Sequence, residues 1–247
     1  METRKLSPLK PGERTCPNGK PVRNRILLLV PDEEYLSIRP HLKFLSMPHH
    51  LSLHHPHRMS KFVYFPNDGF ISLVVEMKDG KTAEAGLLGN DGVAGIPAVM
   101  GLARSPLREI VQVAGSGFRV EIEAMRALLP GAPHLQAVLN RYAAGLAMQV
   151  AQTAACNRLH NVEKRLARWL LIAQDRMDSG LIPITHDFLA TMLGTDRPSV
   201  SLAAAVLQKR EIVRYTRGAV TILNRKALEA FACECYSVIR QYNGEPR

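Results

Sequence analysis

The side chains best suited to chemistry in this 247-residue chain are hydrogen-bond donors that lie between residues 185 and 217. The guanidinium of Arg197 can donate two hydrogen bonds to O6 and N7 of one guanine, and the hydroxyls of Ser199 and Ser201 can donate to or accept from base edges. His186 and the backbone N–H groups at a helix N-terminus can donate to phosphate. These residue types predict contact with the major groove and backbone of double-stranded DNA.

Two short helices joined by a tight turn must position these side chains. Thr185 is the predicted N-cap of a first helix that ends at Gly194, because glycine adopts the left-handed conformation of a helix end at little cost. Thr195 or Asp196 caps a second helix, whose first turn accommodates Pro198. This pattern is typical of a helix-turn-helix.

The second helix has two faces of different composition. The face predicted to pack inward holds Val200, Ala203, Ala204 and Leu207. The outer face offers Arg197, Ser199, Ser201, Leu202, Ala205 and Gln208. Residues 212–223 then predict a β-hairpin, a wing with Arg214 and Arg217 near its tip. The residues expected to contact DNA are therefore Thr185, His186, Arg197, Ser199, Ser201, Leu202, Arg214 and Arg217.

The charge of the chain fits a polyanionic partner. Its formal net charge is +10 and its pI is near 9.7. Residues 1–60 hold 10 Lys and Arg against 5 Asp and Glu, residues 157–247 hold 14 against 9, and residues 61–156 are balanced. The positive charge is thus concentrated at the two ends, which favours nucleic acid or an anionic membrane surface as the partner.

Several features argue against a membrane or a secreted protein. No stretch approaches the roughly 20 apolar residues of a membrane span. The apolar run from Ile26 to Val30 follows a polar, basic segment and is too short for a signal peptide. The four cysteines do not form a dense disulfide framework. We therefore expect a cytoplasmic protein without a membrane partner.

Along the N-terminal half, the sequence pattern changes from helical to strand-like. Its composition predicts a flexible tail over residues 1–20 and two short helices over residues 21–42, divided at Pro31. Short apolar runs separated by turn sequences then predict a barrel, roll or sandwich, with a short helix over residues 92–102. The predicted strands are Phe62 to Phe65, Phe70 to Met77, Thr82 to Leu88, Glu109 to Val113 and Phe118 to Ile122.

After Pro133 the spacing predicts a helix of about 25 residues. Its apolar stripe consists of Leu135, Leu139, Tyr142, Leu146, Gln149 or Val150, and Thr153. Because the stripe is small and semi-polar, it predicts a dimer seam, and an ordinary core-packed helix is the alternative. A second helix follows from Val162 to Met177.

The order of these elements resembles the Crp/Fnr family of bacterial transcription regulators over nearly the whole chain. Three strings carry the resemblance to one branch of it: AQTAACNRLH at residues 151–160, RLARWLL at residues 165–171 and CECY at residues 233–236. The resemblance implies an α+β fold with a cyclic-nucleotide-binding-like sensor β-roll over residues 21–130. A dimerisation helix over residues 131–158 and a winged helix-turn-helix over residues 159–238 would follow.

The resemblance also implies a homodimer that binds an inverted-repeat operator, with the long helix at the two-fold axis, and contact with RNA polymerase. It places Arg197 where the family has a base-reading arginine, with Ser201 and Leu202 at the next reading positions. Many members have a second arginine where this chain has Leu202. The operator sequence is therefore expected to differ from theirs.

The sensor region departs from the family's cyclic-AMP pattern. In that pattern a Gly-Glu pair binds the ribose and a later arginine binds the phosphate. The corresponding stretch, residues 89–97, contains no glutamate. Arg104 and Arg108 lie nearby, but neither aligns clearly with the family's phosphate-binding arginine. We expect no cyclic nucleotide here and cannot name an effector. The glycine-rich run suits either an anion or, as we prefer, a turn into a short helix.

Other groups with potential chemistry match no specific motif. One segment holds His41, His49, His50, His54, His55 and His57. Their clustering is compatible with ligands of a metal or haem. Because adjacent strand residues point to opposite faces and the spacing matches no metal motif, we predict surface histidines instead. Cys16 alone cannot hold an iron–sulfur cluster, and Cys233 and Cys235 alone are too few for zinc. Cys156 is either an oxidant sensor or a packed thiol. We expect no cofactor and no metal.

An enzyme is the first competing class of function. The chain contains no Walker loop, no Gly-x-Ser-x-Gly elbow and no zinc-protease pair, so we expect no catalytic activity. A ligand-binding or assembly module without DNA binding is the second alternative. Arg197 and the basic wing argue against it, and we predict a DNA-binding transcription factor.

Overall fold

The computed structural model describes residues 13–177 and 179–242. They form two compact units: Met1–Ile71 with Leu88–Ala143, and Ser72–Leu87 with Ala144–Arg247. Within the described ranges, no helix is long and apolar enough to cross a bilayer. The first 12 residues of the predicted tail lie outside the described residues.

The helices and strands follow the predicted order of a β-rich part, a long helix and a helix-turn-helix part. The helices are α1 (Arg25–Leu29), α2 (Asp32–Ile38), α3 (Ile96–Val99), α4 (Ile122–Leu128), α5 (Pro133–Leu159), α6 (Val162–Met177), α7 (His186–Leu193), α8 (Arg197–Lys209), α9 (Arg225–Phe231) and α10 (Cys235–Tyr242). Short 3-10 turns cover Arg39–His41 and Leu129–Gly131. The strands are β1 (Lys43–Met47), β2 (Ser52–His54), β3 (Phe62–Pro66), β4 (Phe70–Glu76), β5 (Thr82–Leu88), β6 (Leu107–Val113), β7 (Gly115–Glu121), β8 (Leu181–Ile182), β9 (Val213–Thr216) and β10 (Ala219–Ile222).

The first unit is built on an antiparallel sheet of order β1-β7-β3. In its register Val63 faces Val120 and Phe65 faces Phe118, and all four side chains are fully buried. Burying an apolar side chain of this size stabilises the fold by about 1.5–3 kcal/mol. These cross-strand pairs therefore form the centre of the core. The shorter β2 pairs with β6 through an irregular register between Ser52 and His54.

The structure corrects the predicted tail for residues 13–20. Cys16 is fully buried, and a bridge joins Thr15 to Pro21. The carbonyl of Thr15 accepts hydrogen bonds from Arg39 Nε at 2.7 Å and from the Tyr35 hydroxyl at 3.2 Å. These donors lie at the start of the folded region and fix the segment, although its composition suggested a loose chain.

His54 is a buried exception to the predicted surface histidines. Its Nδ1 lies 2.9 Å from Glu109 Oε2 and its Nε2 lies 2.8 Å from the carbonyl of Phe62. Burial alone would lower the pKa of His54, but the hydrogen bond and charge of Glu109 outweigh burial and raise it. Glu109 Oε2 also accepts from the N–H of Gly95 at 2.8 Å. The glycine-rich stretch is thus a turn into α3, held by Glu109.

The predicted dimer stripe on α5 belongs to the interior of the chain. Leu135 and Leu139 are fully buried. Gln149 Nε2 donates to the carbonyl of Leu87 at 3.0 Å, and Arg168 donates to Thr153 Oγ1 at 3.1 Å. The alternative of a core-packed helix therefore holds for Leu135, Leu139, Gln149 and Thr153, whereas Tyr142, Leu146 and Val150 are half-buried. The opposite face of α5 is exposed and mostly small; it comprises Ala137, Arg141, Ala144, Met148, Ala151 and Ala155.

In the second unit, the β4–β5 hairpin brings a buried carboxylate to the first helix of the C-terminal part. Trp169 Nε1 on α6 donates to Glu84 Oε1 at 2.8 Å, and Ser72 Oγ donates to Glu84 Oε2 at 2.8 Å. Burial raises the pKa of Glu84 to about 7, although these two hydrogen bonds and the nearby arginines lower it. Each oxygen of the Glu84 carboxylate thus accepts a hydrogen bond.

We expect Glu84→Gln to change the pH dependence of stability. Glu84 has a higher pKa when folded than its ordinary value of 4.5. Its stabilising contribution is therefore complete below pH 4.5 and is lost as the pH rises through 7. Since the amide does not titrate, the wild-type advantage in unfolding free energy should fall by about 3 kcal/mol between pH 4.5 and 8. Urea unfolding followed by Trp169 fluorescence measures this, with the exposed Glu76→Gln as control. Parallel pH profiles for wild type and E84Q would contradict it.

Candidate nucleic-acid interface

Two N-caps and one glycine at a helix end, all predicted from the sequence, define the helix-turn-helix. Thr185 Oγ1 accepts from the N–H of Phe188 at 3.2 Å and caps α7. Gly194 ends α7 in the left-handed conformation, with φ 57° and ψ 46°. Asp196 Oδ1 accepts from the N–H of Ser199 at 2.8 Å and caps α8, with Pro198 in its first turn. The chain therefore turns between α7 and α8 within three residues.

The inner face of α8 is buried as predicted. Val200, Ala203, Ala204 and Leu207 are buried against the rest of the unit, in which α8 packs on both α6 and α7. On α7, the small side chain of Ala190 is also buried. This packing fixes which side of α8 faces outward.

We expect Gly194→Ala to destabilise the protein by about 1–2 kcal/mol, because an L-residue with a Cβ is disfavoured in the left-handed region. An added Cβ at Gly194 would meet no atom within 4 Å, so the effect comes from the backbone alone. Gly131→Ala is the matched control: its Cβ also meets no atom, and its φ is not positive. Denaturant unfolding should show a loss for G194A and little change for G131A. Equal midpoints for both variants would contradict the interpretation of the turn.

Arg197 is the first residue of α8 and its side chain is 65% exposed. Its Nε lies 3.5 Å from Asp187 Oδ1, in a pair open to solvent on both sides. Such a pair contributes little free energy, so a DNA base can replace the carboxylate as partner. Leu202, one turn further along α8, is 71% exposed. An apolar side chain here suits contact with a thymine methyl group.

The serines of α8 already have partners within the chain. Ser199 Oγ donates to Asp196 Oδ2 at 3.0 Å, and Ser201 Oγ lies 3.0 Å from His186 Nδ1. The imidazole of His186 also packs edge-on against Tyr215, with ring centres 4.8 Å apart. Burial, and then the charge of Arg197, lower the pKa of His186. The lowered pKa favours the neutral form of the imidazole.

The predicted wing is present as β9 and β10, and β8 pairs with the other edge of β10. Thr216 faces Ala219 across a two-residue turn in which Gly218 has φ 81°. Arg214 and Arg217 are both exposed on this hairpin. Gln208, on the outer face of α8, accepts from the N–H of Tyr215 at 2.8 Å through Oε1. It therefore ties the wing to α8.

Sequence reasoning missed a group of potential metal ligands near the end of α5 and the start of α10. The ligand atoms of Cys156, His160, Cys233 and Cys235 all lie within 4.8 Å of one another. Cys233 and Cys235 were judged too few for zinc by themselves, but the fold brings Cys156 and His160 beside them. The sequence signal that could have revealed this group is the four-residue step from Cys156 to His160, because residues four apart lie on the same face of a helix.

Comparison with known proteins finds a sequence match in the C-terminal part and a similar fold over most of the chain. Residues 164–231 match the Crp-like helix-turn-helix domain family. No curated protein is significantly similar to the chain in sequence. These findings confirm the predicted helix-turn-helix independently of its geometry.

Several solved structures share the fold at low sequence identity. The c-di-GMP responsive global regulator CLP of Xanthomonas campestris is 14% identical, with a TM-score of 0.65 over 78% of this chain and 99% of its own. FixK2 from Bradyrhizobium japonicum is 15% identical, with a TM-score of 0.64 over 78% and 98%. A CRP-family transcriptional regulator from Thermus thermophilus is 21% identical, with a TM-score of 0.62 over 77% and 96%.

The α+β fold predicted from the sequence is thus confirmed: β-rich sheets, a long helix and a C-terminal helix-turn-helix follow one another in the same order. The matching domain and the shared fold agree with the resemblance noted in the three sequence strings. Residues 164–231 are thus similar to the Crp-like helix-turn-helix domain family, and the fold of the chain is similar to that of solved Crp/Fnr-type regulators.

Proposed function

We propose that the protein binds an inverted-repeat operator as a homodimer and thereby regulates transcription in the bacterial cytoplasm. The observation that carries this proposal is the exposed guanidinium of Arg197 at the capped N-terminus of α8. The N-terminal end of the second helix of a helix-turn-helix enters the major groove. Arg197 then donates two hydrogen bonds to one guanine in each half-site.

The other candidate residues have supporting roles in this proposal. Leu202 contacts a thymine methyl group, and Ser199 and Ser201 offer their remaining hydrogen-bonding capacity to base edges. Thr185, His186, Arg214 and Arg217 contact the DNA backbone. The charged contacts make affinity fall as the salt concentration rises.

Dimerisation uses the exposed face of α5 in this proposal. Ala137, Arg141, Ala144, Met148, Ala151 and Ala155 recur at steps of four and three residues along that face. This spacing has the period of 3.5 that brings two helices together along a seam. Small side chains allow a close approach of the two backbones. Two α8 helices related by the two-fold axis then meet successive major grooves, roughly 34 Å apart.

A signal that enters the β-roll acts by favouring one of two arrangements of the dimer. Cyclic AMP is not the proposed signal, because residues 89–97 lack the expected glutamate and the N–H of Gly95 is already bonded to Glu109. The effector is unidentified. Contact with RNA polymerase follows from the family type alone, and no catalytic step is proposed.

The test is selection of bound sequences from random duplex DNA by the purified protein, with and without cyclic AMP. Enrichment of an inverted repeat in both arms supports the proposal. Enrichment only with cyclic AMP would refute the exclusion of that ligand. A chain that enriches no sequence in either arm, and whose salt-dependent binding to duplex DNA is unchanged by Arg197→Ala, would instead be a ligand-binding or assembly module.

A further inference from the structure

We propose that Cys156, His160, Cys233 and Cys235 bind one Zn²⁺ ion in a tetrahedral site with three sulfur ligands and one nitrogen ligand. The site joins the C-terminal end of α5 to the start of α10 within the second unit. This inference rests on the ligand geometry and does not depend on DNA binding.

The distances between the ligand atoms fit a single ion. Cys156 Sγ lies 3.5 Å from Cys233 Sγ, and Cys235 Sγ lies 3.6 Å from His160 Nδ1. With Zn–S near 2.3 Å and Zn–N near 2.0–2.1 Å, a regular tetrahedron has S···S edges of about 3.8 Å and S···N edges of about 3.6 Å. An iron–sulfur cluster would hold its ligands further apart, because several atoms stand between them. The group therefore suits one d¹⁰ ion with sulfur-rich ligation.

The groups around the four ligands are those that a zinc site uses. His160 points Nδ1 toward Cys235, and its Nε2 lies 3.4 Å from Glu234 Oε1. An imidazole that binds zinc through one nitrogen commonly donates its other N–H to a carboxylate, which fixes the ring and its tautomer. Gln152 Nε2 donates to Cys235 Sγ at 3.1 Å, a bond that is strengthened when the sulfur is a thiolate.

The charge of the surroundings also favours an anionic metal centre. Three thiolates and a neutral imidazole around Zn²⁺ carry a net charge of −1. Arg165 and Arg168 are buried on α6, and the Nε of each has no hydrogen-bond partner among the described residues. Both guanidinium groups act electrostatically on Cys156. Ordinary apolar packing of three cysteines would not explain the histidine and carboxylate beside them.

The first experiment measures metal in the full-length protein purified with a thiol reductant and without chelators. Mass spectrometry of the metals should find about one zinc per chain. Cys156→Ser and Cys233→Ser should lose it, whereas Cys16→Ser, which changes a buried cysteine of the other unit, should keep it. Replacement by Co²⁺ should give intense tetrahedral d–d bands and a thiolate-to-cobalt charge-transfer band. Zinc retained in full by C156S and C233S would overturn the site.

A milder variant keeps the proposal testable if the cysteine variants do not fold. Glu234→Gln leaves all four ligands in place and should weaken zinc affinity by about 10–100-fold, as measured by competition with a chromophoric chelator. Wild-type protein that stays free of metal after dialysis against Zn²⁺ and shows no cobalt bands would refute the proposal. Peptide mapping that finds Cys156 and Cys233 joined in a disulfide in the protein as purified would refute it as well.

Discussion

Arg197→Ala is expected to lower affinity for the selected operator by about 2–6 kcal/mol per dimer, because each bidentate arginine–guanine contact contributes about 1–3 kcal/mol and a dimer makes two. Affinity for unrelated duplex should fall far less, since that binding depends on the phosphates. Fluorescence anisotropy on the operator and on random duplex, at several salt concentrations, measures both quantities.

The controls for this prediction separate base recognition from charge. Arg197→Lys keeps the positive charge and loses the bidentate geometry, so it should also lose specificity. Arg217→Ala removes an exposed cation of the wing and should weaken binding to all sequences, with the salt dependence reduced by about one phosphate contact per subunit. An R197A protein that keeps the wild-type ratio of operator to random affinity would show that other residues select the sequence.

We expect the second large effect from Ala151→Glu, which should weaken dimerisation. Ala151 is the fifth of the six residues on the exposed face of α5. Two glutamates that meet at a two-fold seam would be buried without partners and would repel each other. The dimer dissociation constant should rise by at least about 100-fold, equivalent to about 2.7 kcal/mol, and operator affinity should fall with it.

Sedimentation equilibrium over a range of protein concentrations measures the dimer constant directly. Gln136→Glu is the matched control, because it adds the same charge to an exposed position in the first turn of the same helix. An A151E protein that remains dimeric with unchanged circular dichroism would place the dimer interface on another surface.

The elements with strong local signals were predictable from sequence. Pro31 divides α1 from α2, Gly194 ends α7, and α6 runs from Val162 to Met177 as the spacing indicates. Each of these features depends on the conformational preferences of neighbouring residues, which a single sequence contains. The turn between α7 and α8, and with it the place of Arg197, follows from the same local rules.

The parts that the sequence did not predict depend on contacts between distant residues. Both faces of α5 are compatible with a seam, and only the partners of Gln149 and Thr153 show which face is internal. Likewise, the approach of Cys233 to Cys156 joins residues 77 positions apart. Tertiary packing decides such contacts, and periodicity within one segment does not contain them.

The hydrogen bond between Trp169 and Glu84 limits how this chain can be recombined with others of the same fold. Residues 72–87 belong to the same compact unit as the winged helix, so a cassette that begins at the long helix leaves the Trp169 indole without its acceptor. A buried donor without a partner costs about 1–3 kcal/mol. A viable chimera must therefore take the β4–β5 hairpin from the same parent as α6. The segments that have to be exchanged together are not contiguous in the sequence.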